Sequence, residues 1–600
     1  MECYVNPDSD HGKCTLMPNA VEFTPDRDLE QAFFRMVIDF PDWEDDCYIL
    51  MPACAYNGNR IRRVVRKYPP MYHPEETGET LMTEVPALNP DGSGEIQVTA
   101  GDMATPCVGI FNRHSREGFL LFTEQQVGGK NLGFTVKKGQ VTVSFPANRT
   151  DLYRFCRPHE TGGDTGIQVQ AGETVRSAYQ IHQFPCEDIP GFYREFFGRR
   201  KMLLRDDRAP SLYTENLWNL LEDFYNTTVW SGEYYGDAMK NWRVGWGGSV
   251  KTSFAMLKSG TEQSKERARL TLDYLCSHQA PSGFYYGKIS KGIIEDDSFG
   301  VPGMEKLHLI RRSADAMYFL FKHFFVEQPK PAWVESARRC ADAFVTLFER
   351  YGTFGQFVDV ETGDMRVSDT FSGVMAVGGL ALAGKFFGES RYLEAAKAAM
   401  NHYETLFAET GITNGGPGEI LGAPDSETAF AMLESAVVLY EVEEDARWLS
   451  LAETAACYCS SWVVTYAFRF PEGSEFHRLN INTVGSIFAN VQNKHSAPGI
   501  CTMSGDCLYK LYKFTGKEAY LELIKDIVYF IPQCVSTEEQ PIYSWDKVPR
   551  KLPAGYINER VNMSDWEGPN CVGGVFYGTC WPGESLLLTF AELMVYDEMK

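Results

Sequence analysis

From about residue 211 to the C-terminus the sequence repeats one arrangement. About twelve segments carry helical apolar spacing, and the connections between them alternate in length. Connections into the even-numbered segments are long and rich in Gly, Trp, Tyr, Asp and Glu. Those into the odd-numbered ones are a few residues of turn. In a ring of antiparallel helices every second connection lies at the same end, so this alternation gathers the long loops on one face. The even segments are expected at about 248–259, 308–325, 370–387, 426–440, 499–514 and 584–596. The odd ones are expected at about 211–229, 262–278, 332–351, 391–409, 446–462 and 518–531.

The two sets differ in composition. Val374-Met-Ala-Val-Gly-Gly-Leu and Ala429-Phe-Ala-Met-Leu have little polar face, and a helix apolar nearly all round is buried. Segments such as Arg391 to Glu409 carry charge on one side. The even helices are therefore expected inside and the odd ones outside. Three short turns are alike: Gly388-Glu-Ser-Arg-Tyr-Leu, Glu443-Glu-Asp-Ala-Arg-Trp-Leu and Thr515-Gly-Lys-Glu-Ala-Tyr-Leu, which is weak internal repetition.

Residues 1–187 read differently. Runs such as Phe33-Phe-Arg-Met-Val-Ile-Asp, Gly118-Phe-Leu-Leu-Phe-Thr and Gly139-Gln-Val-Thr-Val-Ser-Phe are short and β-branched or aromatic, separated by Gly, Asn and Pro. They point to an antiparallel β-sandwich. Asn57-Gly58 signals a turn. The proline-bearing loop from Tyr68 to Pro90 is the other stretch that invites a substrate-contact reading. Residues 188–210 form a helical linker ending in the charged run Arg205-Asp-Asp-Arg-Ala-Pro210, read as a solvated joint. The third region is 211–600. Six hundred residues exceed what one core holds.

Net charge is −23, from 57 basic and 80 acidic residues. That argues against a nucleic-acid surface. No basic stretch followed by an apolar run opens the chain, and no apolar run reaches membrane length, so no membrane partner and a cytoplasmic address are expected. Sixteen scattered cysteines without a CxxC pair read as reduced thiols. No cofactor is implied.

Twelve helices in two rings behind a β domain resemble the (α/α)6-barrel carbohydrate-active enzymes, the six-hairpin glycosidase group. The resemblance is one of architecture over the whole chain, without a motif that fixes catalytic residues. It implies an (α/α)6 toroid following the β-sandwich, and a sugar site at the end of the barrel where the outer-to-inner loops lie. It also implies a base just before the last inner helix and an acid before a middle one.

The loops on that face carry Trp242, Trp246, Tyr285, Tyr286, Trp566 and Trp581. Aromatic faces stack on the CH faces of sugars; the alternative is that these rings plug the barrel mouth. Splitting a glycosidic bond takes two carboxyl groups. The acids on this face are Glu233, Asp237, Glu295, Asp296, Asp297, Asp359, Asp364, Asp369, Glu419, Asp425, Glu559, Asp565 and Glu567. Asp369 and Asp425 are also placed to cap the sixth and eighth helices. The stretch Asn558 to Asn570 packs Glu559, Asp565 and Glu567 with Arg560, Asn562 and Trp566, which a plain solvated loop does not explain. One of its acids is expected to oppose Asp369 or Asp297. Crowding in Glu295-Asp296-Asp297 would raise one pKa and suit a general acid; a calcium site is the rival reading. Arg243, Arg312 and Arg560 would pair with a uronate carboxylate or orient the acids.

The expected activity is an exo-acting glycoside hydrolase on short, polar or uronic-acid-containing oligosaccharides. Three alternatives stay open. A lyase would use Tyr235, His308, His477 or Tyr556 as base. A sugar epimerase would work through histidines. A non-catalytic carbohydrate-binding protein would need no chemistry.

Overall fold

The computed structural model describes residues 1–7, 11–245, 248–368, 370–545, 548–576 and 581–600. Among the described residues, the chain up to Pro185 forms two large antiparallel sheets, with smaller two-stranded pairings beside them. One is ordered Glu2–Pro7, Phe34–Asp39, Gln140–Phe145, Gly133–Lys137, Glu95–Thr99. The other is ordered Gly12–Met17, Ala20–Pro25, Val175–Pro185, Glu117–Thr123, Cys107–Asn112, Tyr48–Met51, Ala55–Tyr56. Alternate residues of the two, Phe34, Met36 and Ile38 from one and Ile49, Val108, Ile110, Phe119 and Leu121 from the other, share a single hydrophobic core. Asn57–Asn59 is a tight 3-10 turn, as its Asn-Gly pair signals.

Fourteen helices follow among the described residues: α1 (Ile189–Arg199), α2 (Glu215–Phe224), α3 (Ser249–Ser259), α4 (Glu262–Ser277), α5 (Ile310–Phe324), α6 (Pro331–Tyr351), α7 (Met375–Phe387), α8 (Ser390–Thr410), α9 (Ser426–Glu443), α10 (Ala446–Cys459), the single turn α11 (Glu475–Arg478), α12 (Asp506–Thr515), α13 (Glu518–Phe530) and α14 (Pro582–Glu592). Helices α3, α5, α7, α9, α12 and α14 form an inner set, with α3 packed on α5, α5 on α7, α7 on α9, α9 on α12 and α14 back on α3. Each pairs with an outer partner, α4, α6, α8, α10, α13 and α2. Six helical hairpins are thus present, their inner helices packed in the order α14, α3, α5, α7, α9, α12. No helix among the described residues is long and apolar enough to cross a membrane.

The residues explain the two sets. Helix α9 is buried on every side from Ser426 to Leu439. Helix α8 buries only the stripe Tyr392, Ala396, Ala399, Met400, Tyr403 and Phe407. The small residues of α7 allow close approach: a Cβ on Gly379 would lie 2.6 Å from the Met317 side chain of α5. Asp425 caps α9 by accepting from Thr428 N at 2.7 Å, and Thr214 and Thr261 cap α2 and α4.

The main departure from the sequence reading is the tenth helix, expected from Gly499. Residues 499–505 instead descend the barrel as an irregular strut, and α12 starts only at Asp506. Polar inner residues hold this strut. Ser585 Oγ donates to the Ile500 carbonyl, and Lys251 Nζ, 2.7 Å from Asp315, also donates to Thr502. Thr502 in turn donates to the Gly245 carbonyl at 3.1 Å. A continuous helix would consume the Ile500 carbonyl in its own ladder.

The sheet region closes on the loop face. Tyr56 stacks on Trp462 with ring centroids 4.3 Å apart, and the Tyr466 hydroxyl donates to the Ala100 carbonyl at 2.7 Å. The loop that begins near Tyr68 reaches the barrel loops: Gly422 N donates to the Leu81 carbonyl at 2.7 Å. Met71, Tyr72 and Leu81 share a small core with Met304, Leu307, Leu309, Phe357 and Leu421.

Candidate functional site

Three barrel loops meet beneath the Tyr68 loop. The first, before α9, is Asn414-Gly-Gly-Pro-Gly-Glu419. The second spans 490–496, and the third spans 556–570. Gln492 Nε2 donates to the Glu419 carbonyl at 3.2 Å, and Ser496 bridges to Val561. The middle loop therefore ties the outer two together. Glu419 and Tyr68 are each surrounded by protein yet keep surface open to solvent, 38% for Tyr68. Deep side chains that still meet solvent line a recess.

Charge in this recess is uneven. Burial raises the Glu419 carboxyl above its usual range, and the charge of Glu559 adds to that; a hydrogen bond from its own backbone N–H, and Arg312 and Lys288 acting through space, oppose it. The Tyr68 hydroxyl is pushed up by burial and by the same two glutamates, so it keeps its proton. The same two loops carry buried polar atoms without a hydrogen-bond partner among the described residues: Asn558 Oδ1, Arg560 Nε, Asn562 Nδ2 and Glu567 Oε2 on one, Asn490 Nδ2, Gln492 Oε1 and Asn493 Oδ1 on the other. Buried polar groups are normally paired.

The expected site residues divide. Glu559 is in the recess, half-buried and close enough to act on Glu419. Asp565 is an ion-pair partner: it sits 2.8 Å from Arg149, which also holds Asp164 at 2.8 Å, and so fastens the loop to the sheet region. Glu567 is paired with Arg560, whose guanidinium lies over the Phe576 ring at 4.3 Å. Asp297 corrects the crowded-carboxylate reading. It lies 2.8 Å from Lys288 and 3.1 Å from Arg312 and accepts from Leu309 N at 2.9 Å. These partners outweigh its burial and hold it far below the carboxylate range, the opposite of a general acid. The calcium rival fails for the same reason, with Asp296 spent on Ser298 and Lys306 N.

The aromatics also divide. Trp242 and Tyr285 have no exposed surface. Trp242 Nε1 donates to the Tyr286 carbonyl at 3.1 Å, and the Tyr285 hydroxyl meets Ser336 Oγ at 3.0 Å. Both are core, not sugar contacts, because a loop leaving a barrel needs apolar anchors to hold its shape. Trp566 is buried against Tyr153, and Trp581 is buried with Ala497 and Cys501. Tyr286 is half-buried, its hydroxyl donating to Glu361 at 2.7 Å. Arg243 lies 3.3 Å from Asp237, and Arg312 is buried on Asp297. Each of the three arginines is thus already matched to a carboxylate. Trp246 and Asp369 lie outside the described residues.

The bases required by a lyase or an epimerase are poorly placed. Tyr235 and Tyr556 are buried, and His477 is exposed on α11, away from the recess. His308 is buried, and burial holds it down to about 4. Among the described residues no group of three His, Cys, Asp or Glu side chains is arranged to hold a metal ion.

No family model matches the chain, and no curated protein does. Among solved structures the chain is similar to a polysaccharide lyase (TM-score 0.45, 9% identity, covering 97% of this chain and 89% of that one). It is also similar to a cellobiose 2-epimerase from Spirochaeta thermophila (TM-score 0.40, 11% identity, 64% and 100% covered). A third is an α-mannanase from Bacteroides thetaiotaomicron (TM-score 0.37, 10% identity, 63% and 94% covered). At TM-scores this low the likenesses carry no argument about chemistry or substrate.

Proposed function

We propose that the chain is a glycoside hydrolase acting at the ends of short, polar oligosaccharides, with the sheet region serving as a β-sandwich domain that walls one side of the site. Glu419 is the proton donor to the leaving oxygen. Glu559 is its partner, as base on a water or as nucleophile. The observation that carries this reading is that a raised, partly open carboxyl, Glu419, feels a second partly open carboxylate, Glu559. A carboxyl with a raised proton affinity keeps its proton to higher pH than a free glutamate and is better suited to deliver it. Because the nearby arginines already have carboxylate partners, we favour a neutral sugar over a uronate.

The test is a panel of aryl glycosides and short oligosaccharides, read by reducing-sugar release and by ultraviolet absorbance. Release of a reducing end by the native chain, lost in Glu419→Gln and Glu559→Gln, supports the reading. An unsaturated, ultraviolet-absorbing product would replace it with a lyase. No turnover by a folded chain on any member would remove the hydrolase assignment.

A further inference from the structure

The segment joining the two regions concentrates positive charge in an acidic chain. Residues 199–208 hold Arg199, Arg200, Lys201, Arg205 and Arg208 against Asp206 and Asp207, while the whole chain carries −23. These side chains line a cleft of 680 Å³ between the C-terminal end of α1 and the flank of α13, with Glu522 and Asp526 opposite.

The pairing inside the cleft is lopsided. Asp526 has no exposed surface and serves three cations: Arg200 at 3.1 Å, Lys201 at 2.6 Å and Arg208 at 3.1 Å. Arg208 also reaches Glu522. Arg199 leans on Glu195 at 3.3 Å. Asp206 is occupied in accepting from Ala467 N at 2.9 Å. Arg205 is exposed. Arg200 is 6% exposed, and its Nη1 is buried without an acceptor among the described residues. Burial lowers the proton affinity of both Arg200 and Lys201, and Arg208 lowers each further despite Asp526. The cleft's five cations face four carboxylates, Asp206, Asp207, Glu522 and Asp526, but the one fully buried carboxylate, Asp526, is shared by three cations, and Arg200 Nη1 is left without an acceptor among the described residues.

We propose that this cleft binds a phosphate-bearing small molecule, its dianionic group seated among Lys201, Arg205 and Arg208 above Arg200. A phosphate offers three acceptor oxygens and close to two negative charges. Forked guanidinium donors match that geometry better than they match a single carboxylate. Size and setting exclude a polymer: the cleft is local, and the acidic remainder of the chain repels an extended polyanion. Binding here would fasten α1 to α13 and so stiffen the joint between the sheet region and the barrel. The site is separate from the recess at Glu419 and does not depend on the catalytic reading.

Isothermal titration of the full chain at low ionic strength tests it, with inorganic phosphate in one arm and glycerol 3-phosphate in the other. The expected result is saturable binding of one ligand per chain. It should weaken about tenfold or more in Lys201→Gln/Arg205→Gln, most of it from the half-buried Lys201 and less from the exposed Arg205, whose ionic contact water and salt screen. The tighter arm tells whether the free ion or its monoester is recognised. Absence of saturable heat in both arms, or equal affinity in the native and substituted chains, would overturn the proposal. Should the double variant fail to fold, Arg205→Gln alone changes only an exposed side chain. A weakening of about threefold is then expected, and unchanged affinity again overturns it.

Discussion

Asp297 sits on the loop before α5 and Glu419 on the loop before α9, both are surrounded by protein, and both feel Arg312 and Lys288. Their chemistry is opposite. Asp297 touches both cations and a backbone N–H, so contact electrostatics overcome burial. Glu419 has a backbone N–H too, but it feels the same cations only through space and feels the charge of Glu559 as well, so burial wins. Distance, not the presence of positive charge, decides which acid is structural and which is available for proton transfer.

The comparison can be broken at several points. The largest effect is expected at the recess: Glu419→Gln or Glu559→Gln should lower kcat on a cleaved glycoside by about 10²–10⁴-fold while leaving the urea midpoint nearly unchanged. Retained activity in Glu419→Gln would end the contrast. Asp297→Asn should do the reverse. It strands Lys288 and Arg312 in the interior, and urea denaturation should show a loss of about 3–5 kcal/mol. Asp565→Asn, which loosens the grip of Arg149, should cost about 1–3 kcal/mol by the same measurement, with kcat per folded molecule little altered.

Acid stability sharpens the picture. Burial is the main cause that holds His308 at about 4, with Arg312 and Lys288 adding to it against the pull of Asp297. A depressed histidine contributes stability that is complete above its unfolded value of 6.5 and is lost as pH falls through 4. Asp297 drains only below the ordinary Asp range, because its folded value lies lower still. Unfolding free energy should therefore fall between pH 6.5 and 4, and His308→Gln should flatten that slope. The smallest effect is expected from Lys288→Gln. Removing a cation that opposes the shift of Glu419 should move the alkaline limb of the kcat profile upward by a fraction of a pH unit.

The helices were readable in the sequence because burial imprints a period on it. The all-apolar face of α9 and the single stripe of α8 are visible in the residues alone. The strut at 499–505 was not: its apolar content looks helical, and only the partners of Ile500, Cys501 and Thr502, far away in sequence, show that its backbone is used otherwise. At the site, the importance of the 558–570 loop was visible from its density of acids, amides and Trp. The roles within it were not, because Asp565 and Glu567 are defined by Arg149 and Arg560. Glu419 stood in the sequence behind Gly415, Gly416 and Gly418, a run that lets backbone and ligand approach closely. Tyr68 lay in a loop whose destination only the packing against Leu421 and Leu309 reveals.

The central claim is that Glu419 and Glu559 flank the bond that breaks. A crystal structure of Glu419→Gln soaked with an oligosaccharide that the native chain cleaves tests this most directly. The account expects the glycosidic oxygen within hydrogen-bond reach of the residue 419 amide, with Glu559 on the other side of the same sugar ring. A sugar bound beside Asp297, or away from both glutamates, would contradict it.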